Sequence, residues 1–359
     1  MTTARWLVPV LVLAACSSGE QAAPTSTPTT SAVSSGTTAP PEPPTTTTEV
    51  VPTTTEVPVA TEPPPPPAPP PVDAMTGGAP SANVVIAAKI DNTFPGDQWG
   101  VGDADVVYVE MVEAQLSRLI VLFHTTLPAE IGPVRSVRTT DPDVLTGYGS
   151  PALMFSGGAG GPLDNFASSG LVNASPEVIG GSYWRSSAAR EPYNLHANVA
   201  QVAAAVGGIS VPRNPGFTFS DDAGPYAGQR DVSRVSAAFA NPISFRWEDG
   251  VWKYVRRGSV QSDGATGAVV AFQNLLVQRT TAQKDGTVDS KGVASYKTNT
   301  IGSGSFTLYR DGKAVDGTWS RADAASPTSF VDAGGAPVNF RTGKTWVVLA
   351  PEQISMSEG

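Results

Sequence analysis

Arg135 and Arg138 stand three residues apart in the stretch Ile131-Gly-Pro-Val-Arg-Ser-Val-Arg-Thr-Thr-Asp-Pro142. A guanidinium presents its N–H donors as a planar fork, so two of them close together suit a phosphate or carboxylate group. In a turn or helical lead-in the two side chains share a face; in a strand they point oppositely. Asp141-Pro142 has the form of a helix start, which would bring free backbone N–H groups near the same anion. The competing reading ties both guanidiniums to carboxylates of the protein itself. A second donor source is Ser156-Gly-Gly-Ala-Gly-Gly-Pro162, which follows a short apolar run and precedes a helix signal. Gly157, Gly158 and Gly160 would leave backbone N–H groups open to a closely approaching ligand. The loop lacks the full dinucleotide fingerprint and a P-loop lysine, and a plain tight turn is its simpler reading. Arg185, Asn92 and Asn194 complete the donors expected around an anionic ligand.

The acids offer a different chemistry. Glu110 shares a strand face with Val106, Tyr108 and Val112, where an ionised carboxylate is costly unless paired. Glu110 and Asp91 are therefore the acid/base candidates if the protein is an enzyme. Asp91, Asp105 and Glu110 could together hold a divalent cation through oxygen, but their spacing fits no calcium loop, and no metal or cofactor is assigned. Glu113 and Arg118 bracket the turn Ala114-Gln-Leu-Ser117 and are spaced to pair across a hairpin. Of the two histidines, His124 ends an apolar run and reads as packed. His196, in Pro192-Tyr-Asn-Leu-His196, is the better catalytic candidate.

The elements that must position these residues fall into two textures. Val84–Ile90, Val106–Val112, Arg118–Phe123 and Ala152–Phe155 are apolar runs that read as strands, and Val106–Val112, apolar on both alternating faces, reads as one covered on both sides. Helices are predicted from Asp141-Pro142, from Pro162, and from Asn198 to a stop at Gly207-Gly208. From Pro212 the pattern turns to β. Glu248-Asp-Gly250 and Arg310-Asp-Gly-Lys313 sit between alternating runs as hairpin turns. The expected fold is an α/β subdomain with a mixed sheet over 83–211, then a β-rich subdomain over 212–359.

Ahead of these lie two segments of another kind. Residues 1–16 combine Arg5, a short apolar run and Leu13-Ala-Ala-Cys16, which looks like a lipoprotein signal peptide with its lipobox. Cys16 is the sole cysteine of the 359-residue chain, which rules out an intrachain disulfide framework and points to acylation at that position. Two or more acyl chains hold a protein on a membrane stably. Residues 17–82 are rich in Thr and Pro and contain no Lys or Arg, the composition of a disordered tether. The chain carries 23 Lys+Arg against 32 Asp+Glu, a formal net charge of -9 that argues against nucleic acid as partner. Six of those acids lie in the tether, so the folded part is closer to neutral.

The region from about Asn83 to Pro351 resembles the YerB-like bacterial lipoproteins, a family built on a domain of unknown function with N- and C-terminal parts. The resemblance rests on Lys89-Ile-Asp-Asn92, Gly102-Asp-Ala-Asp-Val-Val-Tyr-Val-Glu110, Ser117-Arg118, Ile131–Arg138, the Ser156-Gly-Gly loop, Tyr183-Trp-Arg185 and Pro192-Tyr-Asn-Leu195. In the second half it rests on Ile301-Gly-Ser-Gly304, Gly317-Thr-Trp319 and Gly343-Lys-Thr-Trp-Val347. Where the family pattern has His after the proline, this chain has Tyr193. The resemblance implies an extracytoplasmic, lipid-anchored protein and supplies no reaction. The expected role is binding of an anionic cell-envelope ligand. An envelope-polymer enzyme using Glu110 and Asp91, or an adaptor for another envelope protein, are the alternatives.

Overall fold

The computed structural model describes residues 71–359; the expected signal peptide, Cys16 and most of the expected Thr/Pro-rich tether lie outside the described residues. The described residues all belong to one compact unit. Ordered structure begins earlier than the tether boundary at residue 82 expected from composition. Met75 is fully buried, and Asp73 is buried as well. Asp73 Oδ1 accepts from the Met75 N–H at 3.0 Å and the Thr76 N–H at 2.8 Å, closing a small loop. Its Oδ2 lies 3.0 Å from His124 Nε2. His124 is thus the packed histidine its apolar context predicted, and it clamps the start of the domain.

The apolar runs become strands as their patterns require. β1 (Ile86–Asp91), β2 (Val106–Met111) and β3 (Ser117–Phe123) are buried at every position. β4 (Ala152–Met154) adds to β1 in parallel. β3 lies between β1 and β2 and pairs antiparallel with both. Both faces are covered, which is why these strands read as continuous apolar runs rather than alternating ones. The sheet does not stop at the sequence break near residue 212. The strand Thr345–Pro351, close to the C-terminus, lies parallel to β2, and beyond it come Asn274–Thr280, Gly302–Arg310 and Lys313–Arg321. Eleven strands therefore make one mixed sheet drawn from both halves of the chain. A second, six-stranded sheet of the β-rich part packs Phe245, Trp252, Tyr254 and Phe272 around Trp346.

The hairpin turns form where their residues demand. Asp249 and Gly250 have φ of 56° and 78°, and Asp311 and Gly312 have 53° and 72°. Positive φ at both central residues is what a two-residue turn between twisted strands needs, and Asp-Gly supplies it at low cost. The three helices are short: α1 (Thr140–Leu145), α2 (Gly160–Ser168) and α3 (Val199–Ala205). Asn198 caps α3 by accepting from the Gln201 N–H. That helix ends at Ala205, just before the predicted Gly207-Gly208 stop. Among the described residues no helix is long and apolar enough to cross a membrane.

The Asp73–His124 contact makes the domain's edge sensitive to pH. Its hydrogen bond to Asp73 holds the His124 imidazolium above its ordinary range. Burial would push Asp73 up, but the bonds from His124, Thr76 and Met75 hold it below the usual carboxylate range. The Asp side of the pair contributes fully above about pH 3.9, and the His side fully below about pH 6.5. The contribution fades as pH rises through the raised histidine value. Asp73→Asn, which keeps an acceptor oxygen but no charge, should cost roughly 1.5–3 kcal/mol between those limits. Urea denaturation should show that loss at about pH 5.5 and a smaller one at about pH 9.

Candidate functional site

Register places three charges side by side on one face of the sheet. Arg118 of β3 stands opposite Asp91 of β1 and also opposite Glu110 of β2. One pleat away on the same face is Lys89. All four are buried. The segment that follows β3 then brings in two more cations. It is laced to its neighbours by main-chain bonds: Arg135 N–H to Lys89 O at 2.9 Å, Ser156 N–H to Arg135 O at 2.9 Å, and Val137 N–H to Gly157 O at 3.0 Å. Arg135 and Arg138 are thereby fixed between the end of β1 and the glycine loop.

The acids divide the cations among them. Asp91 Oδ1 accepts from the Thr93 and Phe94 N–H groups, each at 2.6 Å. Its Oδ2 accepts from Arg135 Nη1 and lies 3.5 Å from Arg118 Nη2. Burial would raise the Asp91 carboxyl, but Arg118, Arg135 and the two N–H groups hold it below the usual range. Arg118 is pulled down to about 10, first by burial and then by Arg135 and Arg138, with Asp91 opposing. Arg138 Nη2 donates to Glu113 Oε2 at 2.9 Å, and its Nε lies 2.7 Å from Oε1. Ser295 Oγ donates to the same Oε1 at 2.7 Å. Burial opposes ionisation of Glu113, yet the bond and charge of Arg138, with Ser295, keep it below its ordinary value. Lys89 contacts both Glu110 and Asp141.

Pairing does not exhaust the guanidiniums. Arg118, Arg135 and Arg138 line a hollow of about 780 Å³ together with Gly157, Gly158 and Tyr193. The far wall is the tip of the hairpin formed by the strands Ala282–Val288 and Ala294–Thr298, which adds Asp289 and Lys291. Four cations against Glu113 and Asp289 leave the lining net positive. Among the described residues, Arg135 Nε and Nη2 donate to no protein acceptor; its guanidinium lies 5.0 Å from the Tyr193 ring centroid. Tyr193 in turn stacks on Phe94 at 5.1 Å.

The loop leaves its N–H groups unused in the same place. Gly157 has φ of +66°, and a Cβ there would meet nothing within 4 Å. Its need for glycine is therefore conformational, and its outer side is open. Gly158 is glycine for room, since a Cβ would sit 2.9 Å from Val137 Cγ1. Residues 157 to 160 donate no main-chain hydrogen bond to another backbone group among the described residues, and Ala159, the N-cap of α2, makes no side-chain cap bond. Helix N-termini in this state favour anions.

Several expected site residues lie elsewhere. Gly160 does not line the hollow. Arg185 and Asn194 bond each other at 2.8 Å on a separate ribbon, with Glu191 2.9 Å from the guanidinium. Asn92 is buried and spent on structure, donating to Ser117 Oγ at 2.8 Å and accepting from the Tyr254 hydroxyl at 2.6 Å. Glu110 and Asp91 have no exposed surface, so neither can meet a polymer from solution. His196 is 1% exposed, meets Trp99 edge to face, and pairs with Glu130 at 2.7 Å rather than with anything in the hollow. Asp105 accepts from the His124 and Thr125 N–H groups, apart from Asp91 and Glu110. Glu113 and Arg118 do not pair across their turn; Glu113 takes Arg138 and Arg118 takes Asp91. Ala114 and Gln115 at φ of 54° and 57° tighten the turn and redirect Glu113. Sequence reasoning missed Lys89, Tyr193 and the hairpin tip as members of one neighbourhood. A lysine inside an all-apolar run was the available signal.

The family of this chain is defined by two matched models. Residues 74–210 match "Protein of unknown function (DUF3048) N-terminal domain", and residues 234–347 match the corresponding C-terminal domain. The chain belongs to this family. It is 25% identical over 277 residues to the Bacillus subtilis (strain 168) protein named "Putative lipoprotein YerB", spanning 73% of this chain and 80% of that one. The crystal structure of YerB from Bacillus subtilis superposes with a TM-score of 0.66 at 19% identity, covering 80% of this chain and 99% of that one. The shared fold is a mostly β architecture with few helices.

The buried pairing has a measurable consequence. Asp91→Ala leaves Arg118 buried without its counter-charge and should cost roughly 3–5 kcal/mol. Lys291→Ala, at the exposed hairpin tip, should stay within roughly 0.5 kcal/mol. Guanidinium denaturation of the two variants beside the native protein checks the contrast.

Proposed function

We propose that the protein is a lipid-anchored, extracytoplasmic binding protein whose hollow takes an anionic group of a cell-envelope polymer. The observation that carries this reading is the unengaged edge of Arg135 beside the open N–H groups of the Gly157–Ala159 loop. An incoming phosphate or carboxylate would accept from both at once, with Arg118 and Arg138 adding charge and their own acids preventing collapse onto the ligand. The anchor rests on Leu13-Ala-Ala-Cys16 and on the lipoprotein name of the relative. The Thr/Pro-rich stretch after Cys16 would carry the domain away from the membrane.

Binding is favoured over hydrolysis by the carboxylates. Glu113 faces the hollow but is committed to Arg138 and Ser295, Asp289 accepts from the Lys291 and Val293 N–H groups of its own turn, and Glu110 is sealed below. A glycosidase needs two carboxyl groups flanking one bond with separate duties.

Two measurements test the reading. Binding of poly(glycerol phosphate) and of polygalacturonate should weaken about tenfold or more in Arg135→Ala, as loss of a charge-assisted hydrogen bond implies. It should also fall with added salt. Unchanged affinity for both polymers sinks the assignment. Cys16→Ser should move the protein from the detergent phase to the aqueous phase in a Triton X-114 partition; a variant still in the detergent phase removes the lipid anchor.

A further inference from the structure

Lys89, Glu110 and Asp141 meet in the core with side chains at 0% exposure. One ammonium and two carboxylates are an uneven set for a site without water, and several kcal/mol oppose burying any ion left uncompensated. Glu110 Oε1 contacts the amine, while its Oε2 is buried and has no hydrogen-bond partner among the described residues. Asp141 Oδ1 contacts the same nitrogen, and Asp141 Oδ2 accepts from the Arg138 N–H at 2.8 Å. Burial, against the pull of Asp141, brings Lys89 down to about 8, so the free amine is accessible near neutral pH. The single cysteine lies outside the folded unit, so this domain has no disulfide with which to lock itself.

We propose that Lys89 and Asp141 condense to an intramolecular amide, with Glu110 as the catalytic residue that relays the proton. The Nζ–Cγ bond forms and the Cγ–Oδ1 bond breaks. The ammonium starts with three protons. Glu110 takes one from Nζ, freeing the lone pair to attack Cγ, and hands it to the departing Oδ1. A second proton leaves the nitrogen by the same route, and Oδ1 departs as water. Oδ2 stays as the amide carbonyl oxygen, held during the attack by the Arg138 N–H. Charge and atoms balance without an oxidant or co-reactant, because one ammonium and one carboxylate become one neutral amide and one water. The product removes two of the three ions from the core, leaves Glu110 as the third, opposite Arg118 across the strand pair, and ties β1 to the start of α1. That fixes the segment between them, which carries Arg135 and Arg138. The proposal does not depend on what fills the hollow.

The test is mass spectrometry of the full-length native protein after digestion with trypsin. The expected result is a branched peptide joining the Lys89 and Asp141 segments, lighter by one water than the two linear peptides together, with no cleavage after Lys89. Lys89→Met and Asp141→Ala should each abolish the branch. Glu110→Gln, with circular dichroism verifying its fold, should leave the two segments linear while keeping Lys89 and Asp141 in place. Two linear peptides from the native protein overturn the proposal, as does a branch running to Glu110 instead. A branch that persists in folded Glu110→Gln overturns the relay role.

Discussion

The structure turns on a balance of charge inside one sheet face. Arg118, Arg135 and Arg138 are set against Asp91 and Glu113, with Lys89 between Glu110 and Asp141 below them, and each cation has an acid within contact. Bare, any of these ions would cost several kcal/mol to bury. Matched, they become a rigid lattice, since no member can turn away without stranding its neighbour. The cost is met by the surrounding apolar face, where Ala87, Val106, Tyr108, Ile120 and Leu122 pack in one cluster. The lattice fixes the positive side chains that line the hollow. Its acids sit beneath or beside the arginines and leave their outer edges to solvent.

The hollow also explains why the two halves of the chain travel together. The arginines and the glycine loop come from the first half, while Ser295 and the hairpin tip come from the second. Thr139 Oγ1 donates to Asp285, and Lys297 lies 2.7 Å from Asp143, so the hairpin is pinned to α1 from both of its strands. The central position of Thr345–Pro351 in the large sheet binds the halves again at the level of the backbone. Neither half has a complete site.

Much of this was legible in sequence, for physical reasons that differ by element. Strands buried on both faces announce themselves as apolar runs, and Asp-Gly turns announce a positive φ. The nearness of Arg135, Arg138 and the Ser156-Gly-Gly loop followed from residue type, because donors of that kind suit one class of ligand. Pairing partners were not legible. Glu113 and Arg118 satisfy the spacing of a hairpin pair, yet the left-handed turn at Ala114-Gln115 sends Glu113 to Arg138. Arg185 and Asn194 have the right chemistry in the wrong place, since they bond each other and neither lines the hollow. His196 looked reactive because loop histidines often are, but Trp99 and Glu130 enclose it. The burial of Asp73 was hidden by the composition around it, because one acid in a Thr/Pro-rich stretch gives no sign of the histidine waiting about fifty residues on.

The most direct test is a crystal of the native protein soaked in selenate and examined at the selenium edge. The account predicts an anomalous peak inside the hollow, within hydrogen-bond reach of Arg135 and of the Gly157–Ala159 N–H groups. Selenate bound only outside the hollow, with those donors unoccupied, would contradict it.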